Sequence, residues 1–194
     1  LSTQYRPLQQ PYPPLWYPTS NPGSIEWAAV NGINTCFSIH FAKDFAALRE
    51  MVDAYMSSYE AHKNDPNRLN AHVKDPLVGL SCHIHVAATD EQAQAQARAA
   101  YELFHRNFVH LRMPASELQR YNEQLNFEHL FESGRFFAGS PDTVRKQTER
   151  LLTETHANYL LANFTFGSMP LQQAMTSLDL FAKEVMPAFA AVPV

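Results

Sequence analysis

The sequence predicts an α/β fold in which parallel strands are joined by helical crossovers, and three observations predict it. Strand-prone runs and runs of helical period alternate along the 194 residues. Alternation of that kind sets strands parallel, with a helix packed back between each pair. Turn residues stand at the changeovers, at Pro18–Gly23, Gly32 and Gly139–Asp142. Finally, 45% hydrophobic and 18% charged residues supply one packed core, while the length is too short for two domains, so residues 1–194 are read as one.

Six of the 13 prolines fall within residues 7–22. Residues 1–13 are therefore an extended lead-in, because proline fixes φ and removes a backbone donor. Leu15-Trp16-Tyr17 is bulky and strand-prone, and it ends at the turn Pro18–Gly23, after which the chain turns helical from Ser24. Gly32 closes that helix and Ile33–Ile39 supplies the second strand. From Phe41 the period becomes helical, with a stripe of Phe45, Leu48, Met51, Val52, Tyr55, Met56 and Tyr59. A loop rich in Asn, Asp and Pro spans His62–Pro76, and Leu77–Ala88 is the clearest strand. Thr89-Asp90-Glu91 caps a long helix that Met113-Pro114 stops. Residues 113–137 form a lid-like insertion after the third strand, with one or two short helices. Ser140 as N-cap, Pro141 and Asp142 open the next helix, which runs to about His156. Asn158–Phe164 is the fourth strand, and a last helix carries Leu171, Met175, Leu178, Phe181, Ala182 and Val185 on one face.

Four strand-helix units amount to half of an eight-stranded β/α barrel of the TIM type, a fold that takes about 250 residues. A four-stranded doubly wound sheet is the competing architecture. Half a barrel leaves two edge strands and an apolar inner face, which invites pairing with a second copy as a homodimer or with a missing half. The first residue is Leu rather than Met, so residues are expected in front of it.

Charge excludes some functions. The net charge is −4 and the 15 Lys and Arg are scattered, so no electrostatic footprint for nucleic acid or an anionic membrane exists. No apolar run reaches the roughly 18 to 20 residues that span a bilayer, and Leu1–Pro7 has no signal-peptide core. The expectation is a soluble, cytoplasmic protein. Cys36 and Cys82 sit in strand-like apolar runs and read as small core residues.

Candidate site residues follow from position. The turn Ser20-Asn21-Pro22-Gly23-Ser24 joins a strand's C-terminal end to a helix start, where free N–H groups favour a phosphate; the same residues also serve as ordinary helix caps. Alternation puts Leu80, Cys82, Ile84 and Val86 on one face of the third strand and Ser81, His83, His85 and Ala87 on the other. In a barrel His83 and His85 then point inward, with His85 nearer the catalytic rim. They are read either as hydrogen-bonded interior histidines or as proton-transfer groups. No third ligand completes a metal site. His40 ends the second strand at the same rim, as a pocket residue or a loop histidine. Trp16 or Tyr17 packs on a ring system or in the core. In the insertion, Arg112, Tyr121, Phe127, Phe131, Arg135, Phe136 and Phe137 suit a lid, with Gly134 as a hinge or a plain surface turn. Asn163-Phe164-Thr165 fits a glycosylation sequon without secretory context.

Four blocks together resemble the luciferase-like, flavin-dependent monooxygenase family: Pro14–Ala29, Val86–Ala93, Gly139–Val144 and Leu180–Pro187, in that family's order and spacing. The resemblance covers nearly the whole chain and corresponds to the C-terminal half of a member. It implies a β/α barrel, usually dimeric, that uses reduced FMN from a separate flavin reductase together with molecular oxygen, or in one branch the deazaflavin F420. The substrate would be a small organic molecule such as an aldehyde, alkane, sulfonate or terpenoid. The resemblance further implies that Ser20, Asn21 and Ser24 hold the flavin phosphate, that residues 113–137 match a mobile lid, and that the chain is a fragment of the full enzyme. A non-catalytic, self-associating half-barrel or binding module is the alternative.

Overall fold

The computed structural model describes residues 7–190. Residues 1–6 of the expected lead-in, and with them most of the polar start Leu1–Pro7, lie outside the described residues, as do residues 191–194. The elements are α1 (Pro22–Val30), β1 (Thr35–Ser38), α2 (Phe45–His62), β2 (Val78–Val86), α3 (Asp90–Arg112), α4 (Leu118–Gln124), α5 (Phe127–Glu132), β3 (Phe137–Gly139), α6 (Pro141–Thr155), β4 (Tyr159–Asn163) and α7 (Leu171–Leu180). A 3₁₀ turn at Ala115–Glu117 leads into α4, and a π turn at Phe181–Val185 extends α7.

All strand pairs are parallel and β2 is their hub. It pairs with β1 through Thr35↔Val78 to Ser38↔Ser81, with β4 through Gly79↔Tyr159 to His83↔Asn163, and with β3 higher up through Ile84↔Phe137 to Val86↔Gly139. Pairing with three strands explains why β2 is buried on both faces almost throughout, Ser81 alone being half-buried. On one face Leu80, Cys82, Ile84 and Val86 pack with Ile25, Leu48, Val52 and Leu151 from the surrounding helices. Each such aliphatic side chain contributes about 2 kcal/mol by leaving water. On the opposite face α3 lies across the upper strand. Its Ala93, Ala97 and Ala100 keep that helix close, and Tyr101 joins Phe127, Leu130, Phe136 and Phe166 in a second core.

Caps locate the helices. Asp44 Oδ1 accepts from the Ala47 N–H at 2.8 Å, Thr89 Oγ1 from Gln92 at 3.2 Å, and Asn126 Oδ1 from His129 at 2.9 Å. Asparagines latch the N-terminal ends of the strands. Asn158 accepts from the Val78 N–H at 2.8 Å and donates to the Pro76 carbonyl at 3.0 Å, and Asn34 accepts from Leu77 at 2.9 Å.

Several expectations are corrected. The first expected strand, Leu15–Tyr17, is a single parallel bridge, Trp16↔Asn34, because prolines at 14 and 18 confine it to three residues. A strand not expected, β3, lies at the end of the proposed 113–137 insertion, which follows α3 and takes in Phe137 of that strand. The first helix starts at Pro22 rather than Ser24, and α2 starts at Phe45 rather than Phe41 because Asp44 caps it. Ser140 holds the N-cap position of α6, but its side chain makes no capping bond. Asp90 at the start of α3 does that work, accepting from the Ser140 N–H at 2.6 Å and the Thr143 hydroxyl at 3.0 Å. Those bonds hold the Asp90 carboxyl below the usual carboxylate range. Among the described residues no helix is long and apolar enough to cross a membrane.

Candidate active-site cleft

Parallel strands deliver all their C-terminal ends to one side, and three cavities line up there. One, of about 270 Å³, has Thr19, Ser20, Cys36 and Ser38 in its wall. The next, of about 180 Å³, is walled by Ser38, His40, Ser81, His83, Tyr101 and Asn163, among others. A third, of about 480 Å³, opens between the 40–43 loop and α4 and is lined by His40, Lys43, Arg120 and Arg135, among others. Phe41 borders all three and its ring packs on Phe108 at 5.6 Å.

His40 and His83 meet in the middle cavity. His83 Nδ1 and His40 Nε2 are 3.1 Å apart, so one nitrogen donates and the other accepts. Phe104 and Phe166 pack edge-on to the His83 ring, each at 5.0 Å, and Tyr101 does so at 5.7 Å. Burial lowers the His83 pKa to about 4. His40 is held well below the usual 6.5 by burial first, then by repulsion from His83 and Arg135. The pair is therefore uncharged at neutral pH, a donor and an acceptor among aromatic rings.

His85 is not in that wall. It is 1% exposed beneath α3, where Nε2 donates to Gln96 Oε1 at 2.8 Å, while Nδ1 is buried without a partner. Burial lowers its pKa, an effect the Gln96 bond opposes. Trp16 packs on Tyr159 at 5.2 Å, and Tyr17 on Trp27 at 5.6 Å.

At the Ser20–Ser24 turn, Asn21 acts as the N-cap, its Oδ1 accepting from the Ser24 N–H at 3.2 Å. Thr19 Oγ1 in turn accepts from the Asn21 N–H, also at 3.2 Å. Ser20 lines the first cavity, and Ser24 stands in the first turn of α1. A Cβ at Gly23 would meet only Asn21 Oδ1, at 3.5 Å, so that glycine is not sterically required.

Arg135 is a feature of this cleft that the sequence placed only in a lid. It is 5% exposed. Its Nη1 donates to the carbonyls of His40 at 3.1 Å and Ala42 at 2.6 Å, and its Nε to Ser133 Oγ at 2.9 Å. Gly134, at φ +73°, makes the turn that sends Arg135 inward, and Phe136 and Phe137 lock the backbone behind it. An arginine between a glycine and two phenylalanines was the available signal. Gln96 and Phe41 gave none. Among the described residues, no three His, Cys, Asp or Glu side chains are grouped to hold a metal.

A fold of parallel strands with its polar groups gathered at their C-terminal ends is a β/α architecture with a cleft on the side where such folds bind their ligands. The sequence model of luciferase-like monooxygenases matches residues 1–158, and the chain belongs to that family. An uncharacterised Sinorhizobium fredii protein, y4wF, is 32% identical over 93% of this chain and 50% of its own length. The oxygenase component of the flavin-dependent trigonelline monooxygenase of Acinetobacter baylyi is 24% identical over 95% of this chain and 51% of its own. The chain thus spans about half the length of these relatives. Among solved structures, the monooxygenase RslO1 of Streptomyces bottropensis superimposes with a TM-score of 0.70 at 18% identity, over 94% of this chain and 50% of that one. The oxygenating constituent of 3,6-diketocamphane monooxygenase from Pseudomonas putida, in complex with FMN, gives 0.64 at 19%, over 92% and 48%.

Proposed function

We propose that the chain is the C-terminal half of the barrel of a flavin-dependent monooxygenase that oxidises a small organic substrate. The observation that carries this reading is the run of three cavities from the Ser20 turn to the His40–His83 pair, all at the C-terminal ends of parallel strands. Family membership supplies the expectation of a flavin, and FMN is the proposed one, with F420 as the alternative.

The donor set fits a flavin phosphate. Hydroxyls of Ser20 and Ser24 and the positive end of α1 suit a phosphate, and no carboxylate lines the adjoining cavity. Asn21 holds the turn in shape by capping α1. Reduced FMN, when bound, supplies the electrons for dioxygen to put one oxygen atom into a substrate and release the other as water. Phe41, Phe104 and Phe108 exclude water beside the substrate, and the His40–His83 couple offers a neutral donor to a substrate oxygen at the ring nitrogen not engaged in the pair. A flavin reductase is the proposed source of reduced FMN.

The reaction is tested by oxygen uptake in the protein supplied with reduced FMN and, separately, reduced F420. Uptake coupled to oxygenation of an added aldehyde or aromatic substrate with FMN supports the reading. Uncoupled flavin oxidation alone, at the rate seen without protein, contradicts it.

A second reading, a self-associating half-barrel, is favoured by one feature. Trp16, Tyr159 and Leu161 remain partly exposed on the sheet face, where Gly79 makes room for Leu161. A monomer at micromolar concentration removes self-association and leaves union with an N-terminal half as the way to cover that face.

A further inference from the structure

Arg135 is a buried cation without a counter-ion. Its partners are two carbonyls and a hydroxyl, and among the described residues it makes no ion pair within 4.0 Å. The Asp44 carboxylate, turned to cap α2, acts on it only from beyond that distance. A guanidinium keeps its proton in proteins, and burying an unpaired charge is costly. Two further cations, Lys43 and Arg120, border the same 480 Å³ cavity, and its lining contains no acid. Arg120 is held over the Tyr121 ring at 4.7 Å by Glu117 at 3.0 Å, and Lys43 makes no ion pair among the described residues. By contrast, the surface groove between α1 and α2 is lined by Glu26 and Glu50 and no cation. In a chain of net charge −4, Lys43 and Arg135, neither in an ion pair among the described residues, together with Arg120, whose charge is shared with Glu117, give the lining of this cavity a local positive field.

We propose that this cavity binds the anionic head, carboxylate or sulfonate, of an organic substrate, with Lys43, Arg120 and Arg135 as its counter-charges and Tyr121, Gln124 and His129 as polar neighbours. The apolar body of that substrate lies in the adjoining aromatic cavity, which shares His40, Phe41 and Leu125 with this one. The proposal deepens the monooxygenase reading and rests on it. The flavin phosphate has its own hydroxyl-lined cavity at Ser20, whose wall contains none of the three cations. Arginine and lysine recognise oxyanions by charge-assisted hydrogen bonds, so the site selects charge before shape.

The test is a titration of the chain with benzoate, its neutral isostere benzamide, and inorganic phosphate, each with and without FMN. Benzoate is expected to bind about tenfold more tightly than benzamide, and its affinity to fall with added salt. The double variant Lys43→Gln/Arg120→Gln, at two exposed positions, removes that preference, whereas Lys183→Gln on the surface leaves it intact. FMN affinity is unchanged in the double variant. Equal binding of benzoate and benzamide, or no benzoate binding at millimolar concentration, overturns the proposal. So does weakened FMN or phosphate binding in the double variant with benzoate unaffected, which assigns the cations to the cofactor instead. Loss of FMN binding to the unmodified chain contradicts the flavin reading, while the benzoate comparison still decides this one.

Discussion

His40 and His83, 43 residues apart in sequence, place ring nitrogens 3.1 Å from each other with their rings 8° from parallel. One lies in the turn two residues past the end of β1, not on the strand itself as its position in sequence suggested, and the other sits in β2 on the face that α3 covers. The contact exists because parallel pairing of Ser38 with Ser81 brings the end of one strand beside the upper half of the next.

That pair makes stability fall in acid. The unfolded chain takes up protons near pH 6.5, while folded His83 resists them down to about pH 4, so the unfolded state binds more protons between those values. The histidine contribution is fully present above pH 6.5 and is lost as the pH falls to 4, an effect of about 3 kcal/mol for His83 alone. His40 is shifted the same way and adds to it. Urea unfolding across that window should show a shallower loss for His83→Gln than for the unmodified chain. Parallel curves contradict the assignment.

Ser177 ties α7 to the top of the sheet. Its hydroxyl accepts from the Val86 N–H at 2.7 Å, and the serine is fully buried. Ser177→Ala leaves that N–H without a partner and should cost about 1–3 kcal/mol of stability. A loss under about 0.5 kcal/mol, measured by chemical unfolding, means that the strand finds another acceptor.

Gly167 is a second fixed point. Its φ is +56°, and a Cβ there would stand 1.9 Å from the Ala100 carbonyl oxygen of α3. Gly167→Ala should destabilise by about 3 kcal/mol or more. Gly23→Ala meets ordinary contact distances and should change stability by about 0.5 kcal/mol or less. Similar melting temperatures for the two variants would show that the 164–170 turn is free to move away from α3.

Much of the fold was legible because it is periodic and local. The α2 stripe, the Thr89 cap and the two faces of β2 all follow from spacing within one element. What stayed hidden was short or non-local. β3 has three residues and runs straight into the proline that opens α6, so its pattern is too brief for a period to register. The capping of α6 by Asp90 crosses 50 residues, and the Arg135 clamp on the 40–42 carbonyls more than 90. His85, set beside His83 by alternation, is separated from it chemically by Gln96 of α3, which strand spacing cannot reveal. For the candidate site, the turn at Ser20 and the rim position of His40 could be read from position alone, whereas the union of His40 with His83 required the strand register.

The central claim, that the Ser20–Ser24 turn holds a flavin phosphate, is tested most directly by titrating the chain with reduced FMN and comparing Ser20→Ala. Binding at micromolar affinity in the unmodified chain, weakened about tenfold in the variant with riboflavin indifferent to the change, is the predicted result. Equal FMN affinity in the two proteins would contradict it.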